Sequence, residues 1–148
     1  MPPSKPRGGY HHGALREALI EAGARNSAQV VGKDRFDLYI AVSAEGEGTD
    51  FFPSGAMSGI RKPVMIITGT EDRSVDGGFE TRMTTFANLP PGRKRAAIIR
   101  GATHRDLGGN GDLQVGATVG SLAVEFARAV TPGPFVPAQH RQGVLIKD

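Results

Sequence analysis

The sequence predicts an α/β fold with about three parallel strands, flanking helices and an additional amphipathic helix at the N-terminus. Three observations carry this. Short apolar runs occur at 38–43 (LYIAVS), 64–68 (VMIIT) and 96–99 (AAII), each flanked by breakers and without polar alternation, as in strands covered on both faces. Stretches of helical period fall between and after these runs, and strands alternating with helices predict a parallel sheet. The chain has 148 residues, 39% of them hydrophobic, which is enough for one core and too little for two full domains.

In chain order, residues 1–13 hold Pro2, Pro3, Pro6, Gly8, Gly9 and Gly13 together with Lys5 and Arg7, and read as a flexible basic arm. Residues 14–33 contain the first helix and a linker. Leu15, Ala18, Leu19 and Ala22 share one helical face from Ala14 to about Arg25. Glu21 and Arg25 are spaced for a pair on its outer side. Residues 34–130 form the main α/β unit. Between its second and third strands, Phe79, Arg82, Met83, Phe86 and Ala87 keep helical spacing, and the aromatic and Met positions mark the expected buried face. Asp76-Gly77-Gly78 begins that helix and Pro90-Pro91-Gly92 ends it. Val115, Val119, Leu122, Phe126 and Val130 define the closing helix, with Asp112 as its N-cap. Residues 131–148 include Pro132, Pro134 and Pro137 and read as a loose tail.

Composition excludes several classes. Gly and Pro together number 31 (21 + 10), about a fifth of the chain and below the range of low-complexity sequence. There are no cysteines, which removes disulfides, thiol catalysis and thiolate-bound zinc. A net charge of +3 is too small to imply nucleic acid without clustering. No run reaches a membrane span or a signal-peptide core, so a cytoplasmic protein with no membrane partner is expected.

In an open parallel sheet, chemistry collects in loops at the carboxyl ends of the strands. Asp72 follows the second strand in TGTEDRSV, and His104 follows the third in RGATHRDLGG. If these strands are neighbours, both loops lie on one edge, where a carboxylate can orient an imidazole as a general base. Glu71 and Asp76 are rival acids in the same loop. His11-His12 has no further ligand at metal spacing, and Gly108-Gly109-Asn110-Gly111 lacks the spacing of a phosphate loop. Neither a metal nor a cofactor is expected. Arg93-Lys94-Arg95 reads as a solvated turn.

These segments resemble the C-terminal half of α/β-hydrolases, in particular the dienelactone-hydrolase-like esterase branch, over residues 34–130. The likeness rests on AVSAEG, the loop FFPSGAMSGI, then KPVMIITGTEDRSV and RAAIIRGATHRDLGG before a closing helix. It implies a partial α/β-hydrolase sheet, a carboxylic-ester hydrolase activity on a small ester, and catalytic roles for Asp72 as acid and His104 as base. The family also needs a Gly-x-Ser-x-Gly nucleophile elbow, and none occurs here. Ser58 in Gly55-Ala56-Met57-Ser58-Gly59 stands one place late, and Ser43 ends a strand without elbow glycines. The nucleophile is therefore unassigned, and weak activity or none is expected of the chain alone.

Residues 9–25 (GYHHGALREALIEAGAR) resemble the arm and first helix of TetR-type repressors. That likeness implies a binding or regulatory protein with weak DNA contact through Lys5, Arg7 and Arg16. Yet residues 26–43 hold no helix pair that could read DNA, so a DNA partner is not expected. Two family halves meeting near residues 25–34 also fit a decayed or fused reading frame. A half-sheet further leaves the Leu38–Ser43 strand with an unpaired edge, and self-association through it is expected.

Overall fold

The computed structural model describes residues 12–130 and 143–148, with side chains from Glu17 onward. The elements run α1 (His12–Glu21), β1 (Tyr39–Val42), β2 (Val64–Glu71), α2 (Phe79–Asn88), β3 (Lys94–Thr103), α3 (His104–Leu107), α4 (Leu113–Val130) and β4 (Val144–Lys147). The fold class is α/β, as the periodicities indicate. The strands form one sheet in the order β1-β2-β3-β4. β1, β2 and β3 pair in parallel, but β4 pairs antiparallel with β3, placing Ile146 beside Ala97. The sheet is thus mixed, which corrects the all-parallel expectation. The stretch read as a loose tail ends in a strand, whose four residues (VLIK) are too few to stand out beside three prolines.

Side-chain alternation divides the core into two layers. Tyr39, Ala41, Val64, Ile66 and Ala96 face one side, where Leu19 of α1, Ala22 just past it, partly buried Met83 and Phe86 of α2, and the 44–60 loop cover them. Met65, Ile67, Ala97 and Ile99 face the other, under Leu107, Leu122 and Phe126. Helices on both faces explain why the strand runs carry no polar alternation. The closing helix follows its sequence pattern: Leu122 and Phe126 are buried, and Val115, Val119 and Val130 pack at the margin. Asp112 caps it, its carboxylate accepting the Gln114 N–H at 2.7 Å.

Three sequence expectations shift for local reasons. First, α1 ends at Glu21 because Gly23, at φ 108°, closes it with Gly23 N–H on Ile20 O (3.0 Å) and Ala24 N–H on Leu19 O (2.9 Å), the paired bonds of a glycine C-cap. Arg25 therefore lies off the helix and donates to Ser54 O. Glu21 pairs instead with Arg35, whose Nε lies 2.9 Å away. Second, the deepest positions of α2 are the polar Arg82 and Thr85, while Ala87 is exposed. Third, the basic run opens β3, and its Lys94 Nζ donates to Phe86 O (2.9 Å) and Leu89 O (3.2 Å) at the carboxyl end of α2. Arg95 pairs with Asp148.

The 44–60 loop has no helix or strand, yet Phe52, Ala56, Met57 and Ile60 in it are buried. Glu47 organises its turn by accepting Gly55 N–H at 2.6 Å and Met57 N–H at 3.0 Å. Residues 22–38 contain no helix, so no helix-turn-helix follows α1. His11, Lys5 and Arg7 lie outside the described residues, as do the side chains of His12 and Arg16. Among the described residues, no helix is long and apolar enough to cross a membrane.

Candidate active site

The site lies where β1, β2 and β3 end together. β2 finishes in a bulge: Gly69 pairs with Ile99, but Glu71 pairs with Thr103. Glycine is needed at 69, because a Cβ there would stand 2.3 Å from Ala102 O. Just beyond, Asp72 N–H donates to Gly69 O at 3.0 Å. That turn folds Asp72 back under the sheet edge, where it is 0% exposed.

A buried carboxylate must be paired and fully hydrogen-bonded. Thr68 Oγ1 donates to Asp72 Oδ2 at 2.8 Å. Ser43 Oγ lies 2.8 Å and 2.7 Å from the two carboxylate oxygens. Arg82 Nε stands 3.0 Å from Oδ1, although its N–H is not aimed along a hydrogen bond, so this is a charge contact. The other nitrogens of Arg82 donate to backbone, and Nη2 also stands 3.3 Å from His104 Nδ1. Nη1 donates to Ser43 O (2.7 Å) and Ala44 O (3.1 Å), and Nη2 to Arg73 O (3.2 Å). One side chain from α2 thereby ties the loop after β1 to the loop after β2.

His104 opens α3, and its place is set by backbone capping. Thr103 Oγ1 accepts Asp106 N–H at 3.2 Å, while Asp106 Oδ2 accepts Thr103 N–H at 2.9 Å. This reciprocal box is braced by Asp112 N–H on Asp106 Oδ1 at 2.8 Å. The backbone N–H groups of Asp112 and Thr103, with the Thr103 hydroxyl, hold the Asp106 carboxyl below its ordinary range. The imidazole turns Nδ1 towards Asp72 Oδ1 at 3.2 Å, and its side chain is 32% exposed.

Asp72 and His104 are thus brought together as the strand order suggested. The rival acids are elsewhere: Glu71 is exposed and lies 3.9 Å from Arg73, and Asp76 is exposed. Ser58 is also exposed, its hydroxyl donating to Gly55 O within its own turn at 2.9 Å. Ser43 is the residue the sequence understated. It is 2% exposed, takes a left-handed backbone at φ 53°, and places Oγ 2.5 Å from His104 Nδ1.

The short Ser43–Asp72 contacts favour one set of roles in this cluster, with Arg82 Nη2, 3.3 Å from His104 Nδ1, then a close charge contact and not a hydrogen bond. A serine hydroxyl has one proton, and an ionised carboxylate has none to give. With Ser43 O–H donating to Asp72, the short contact is completed by His104 Nδ1–H donating to Ser43 Oγ, a tautomer assigned from its partners. Ser43 therefore sits on the Nδ1 edge with the acid. A nucleophile activated by this imidazole would approach Nε2, on the opposite edge of the ring. The sequence signal for Ser43 was only its place at a strand end. Arg82 was visible as a helix position but carried no hint of its charge partner.

Among the described residues, no group of His, Asp and Glu could hold a metal ion. Searches against protein-family models and curated proteins return no match to the chain.

Proposed function

We propose that the chain is a carboxylic-ester hydrolase-type protein whose Asp72 and His104 supply the acid–base half of the chemistry. The observation that carries this reading is the contact of a wholly buried carboxylate with Nδ1 of a partly exposed imidazole, 3.2 Å apart. Asp72 fixes the tautomer and stabilises the imidazolium that forms when Nε2 takes a proton. Ser43 and Arg82 act through Asp72, the first by a hydroxyl bond and the second as its counter-charge.

Because Ser43 is committed to the acid, water is the nucleophile in this reading. Nε2 removes a proton from water as its oxygen attacks the ester carbonyl, and the same proton is returned to the leaving alkoxide. Without a positioned serine there is no acyl-enzyme intermediate, so turnover is slow. The test is hydrolysis of short-chain nitrophenyl esters by the purified protein beside His104→Ala. A fall of about 100-fold or more is expected, the usual contribution of a positioned general base. Equal rates in the two proteins would refute the assignment.

A further inference from the structure

Among the described residues, β1 is one edge of the sheet. Its ladder to β2 uses alternate residues: Tyr39 N–H donates to Pro63 O at 2.9 Å, and Ser43 N–H to Ile67 O at 2.7 Å. In a parallel ladder the N–H and C=O of one residue point towards the same neighbour. Ile40 and Val42 therefore turn theirs away from β2, and no described residue meets them.

The surface beside this edge is apolar. A groove of about 480 Å³ runs between α1 and the start of β1, with Ala18, Ile20, Leu38 and Ile40 in its walls. Val30, Val31 and Phe36 also line it, at 55%, 86% and 58% exposure. Three of the seven large hydrophobics exposed among the described residues thus share one groove, and a contiguous exposed apolar patch is the mark of an interaction surface. Sheet edges are commonly guarded by Lys, Pro or a bulge. The opposite edge, β4, carries Lys147 next to Asp148, whereas β1 reads Tyr-Ile-Ala-Val and has no such guard.

We propose that the β1 edge is the interface of a homodimer, with two β1 strands pairing antiparallel about a two-fold axis at Ala41. In that register Ile40 stands opposite Val42 of the second copy. Each such pair exchanges both N–H···O=C bonds, so the two-fold yields four and leaves neither outward residue unsatisfied. The same edge is therefore complementary to itself, as a closed two-fold interface requires. The charges in the groove are Glu17 and the Arg35–Glu21 ion pair, one net negative charge, so repulsion between two copies is small. A four-residue strand with three apolar neighbours covers less than the roughly 800 Å² per partner of a standard interface. The dimer is accordingly weak, with a Kd on the order of micromolar or above.

The test combines light scattering across micromolar to submillimolar concentration with residue-resolved amide exchange. Mass rises towards twice that of the monomer, and the Ile40 and Val42 amides gain protection in step while Tyr39 and Ser43 stay constant. Ile40→Pro removes an outward N–H without taking a bond from the β1–β2 ladder, and this variant stays monomeric with unchanged circular dichroism. The double variant Val31→Lys, Phe36→Lys alters only exposed side chains and weakens the dimer independently of backbone effects. The proposal is overturned by a monomer at every concentration, or by a dimer that survives both variants. Ile40 and Val42 amides already protected in the most dilute sample would also overturn it, because the edge would then be covered within one chain.

Discussion

Asp72 and His104 meet at one hydrogen bond, but different physics holds each in place. The acid is sealed at 0% exposure and depends on residues distant in sequence: Ser43 from the end of β1 and Arg82 from α2. The imidazole is part exposed, and its backbone is placed by a capping box spanning four residues, Thr103 to Asp106. One arrangement requires the folded sheet; the other is written into a short local motif. Disturbing the acid's surroundings should therefore threaten the whole domain, whereas disturbing the cap should misplace one side chain.

Arg82→Met gives the largest expected effect. It leaves Asp72 buried without its counter-charge and frees the carbonyls of Ser43, Ala44 and Arg73. Breaking a buried pair from one side costs about 3–5 kcal/mol, readable as a lowered urea midpoint. Asp72→Leu in the same chain removes the stranded carboxylate and should recover part of the loss. If Arg82→Met unfolds at the wild-type midpoint, the acid is not held by charge and the comparison fails.

Thr103→Ala tests the other side. It removes a helix N-cap, for which the usual cost is about 1 kcal/mol, clearly smaller than the Arg82 effect. Ester turnover should fall by more than this loss of stability explains, because His104 is the first residue of the helix being capped. A variant that loses stability yet retains full turnover would show that the imidazole is placed by Asp72 alone.

The same division explains what could be read from the sequence. Strand runs, helix periods and the order of elements were legible because burial on two faces imposes composition on contiguous residues. The meeting of Asp72 with His104 followed from adjacent parallel strands, since both loops then emerge on one edge. The roles of Ser43 and Arg82 were hidden because each is defined by a partner 29 or 10 residues away, and Arg82 sits at a position whose spacing looks like any core-facing site. β4 was hidden for another reason. Its four residues acquire strand character only from pairing with β3, and local pattern carries no trace of that pairing. The glycine at 23 could have corrected the end of α1, because a glycine just past a helical period is itself a stop signal.

The smallest effect separates two part-buried carboxylates, Glu21 and Asp106, from the sealed one. Arg35 beside Glu21 lowers the Glu21 pKa to about 2 from 4.5, first through the guanidinium bond and then through the Arg35 backbone N–H. Asp106 is lowered by the N–H groups of its cap. A carboxylate with a depressed folded pKa adds stability that is fully present above its unfolded pKa and is lost as pH falls through the folded value. Between about pH 4.5 and pH 2, acid should therefore loosen the Glu21 tie from α1 to Lys33 and Arg35. The Asp106 cap should weaken in the same direction as pH drops below the ordinary carboxylate range. Urea midpoints measured down this range should decline less steeply in Glu21→Gln and Asp106→Asn than in wild type. The two changes should add, because the groups lie in separate elements and share no partner. Slopes identical to wild type in both variants would mean that acid acts elsewhere. The part-buried ties would then contribute nothing measurable, and the contrast between sealed and local anchoring would reduce to the buried acid alone.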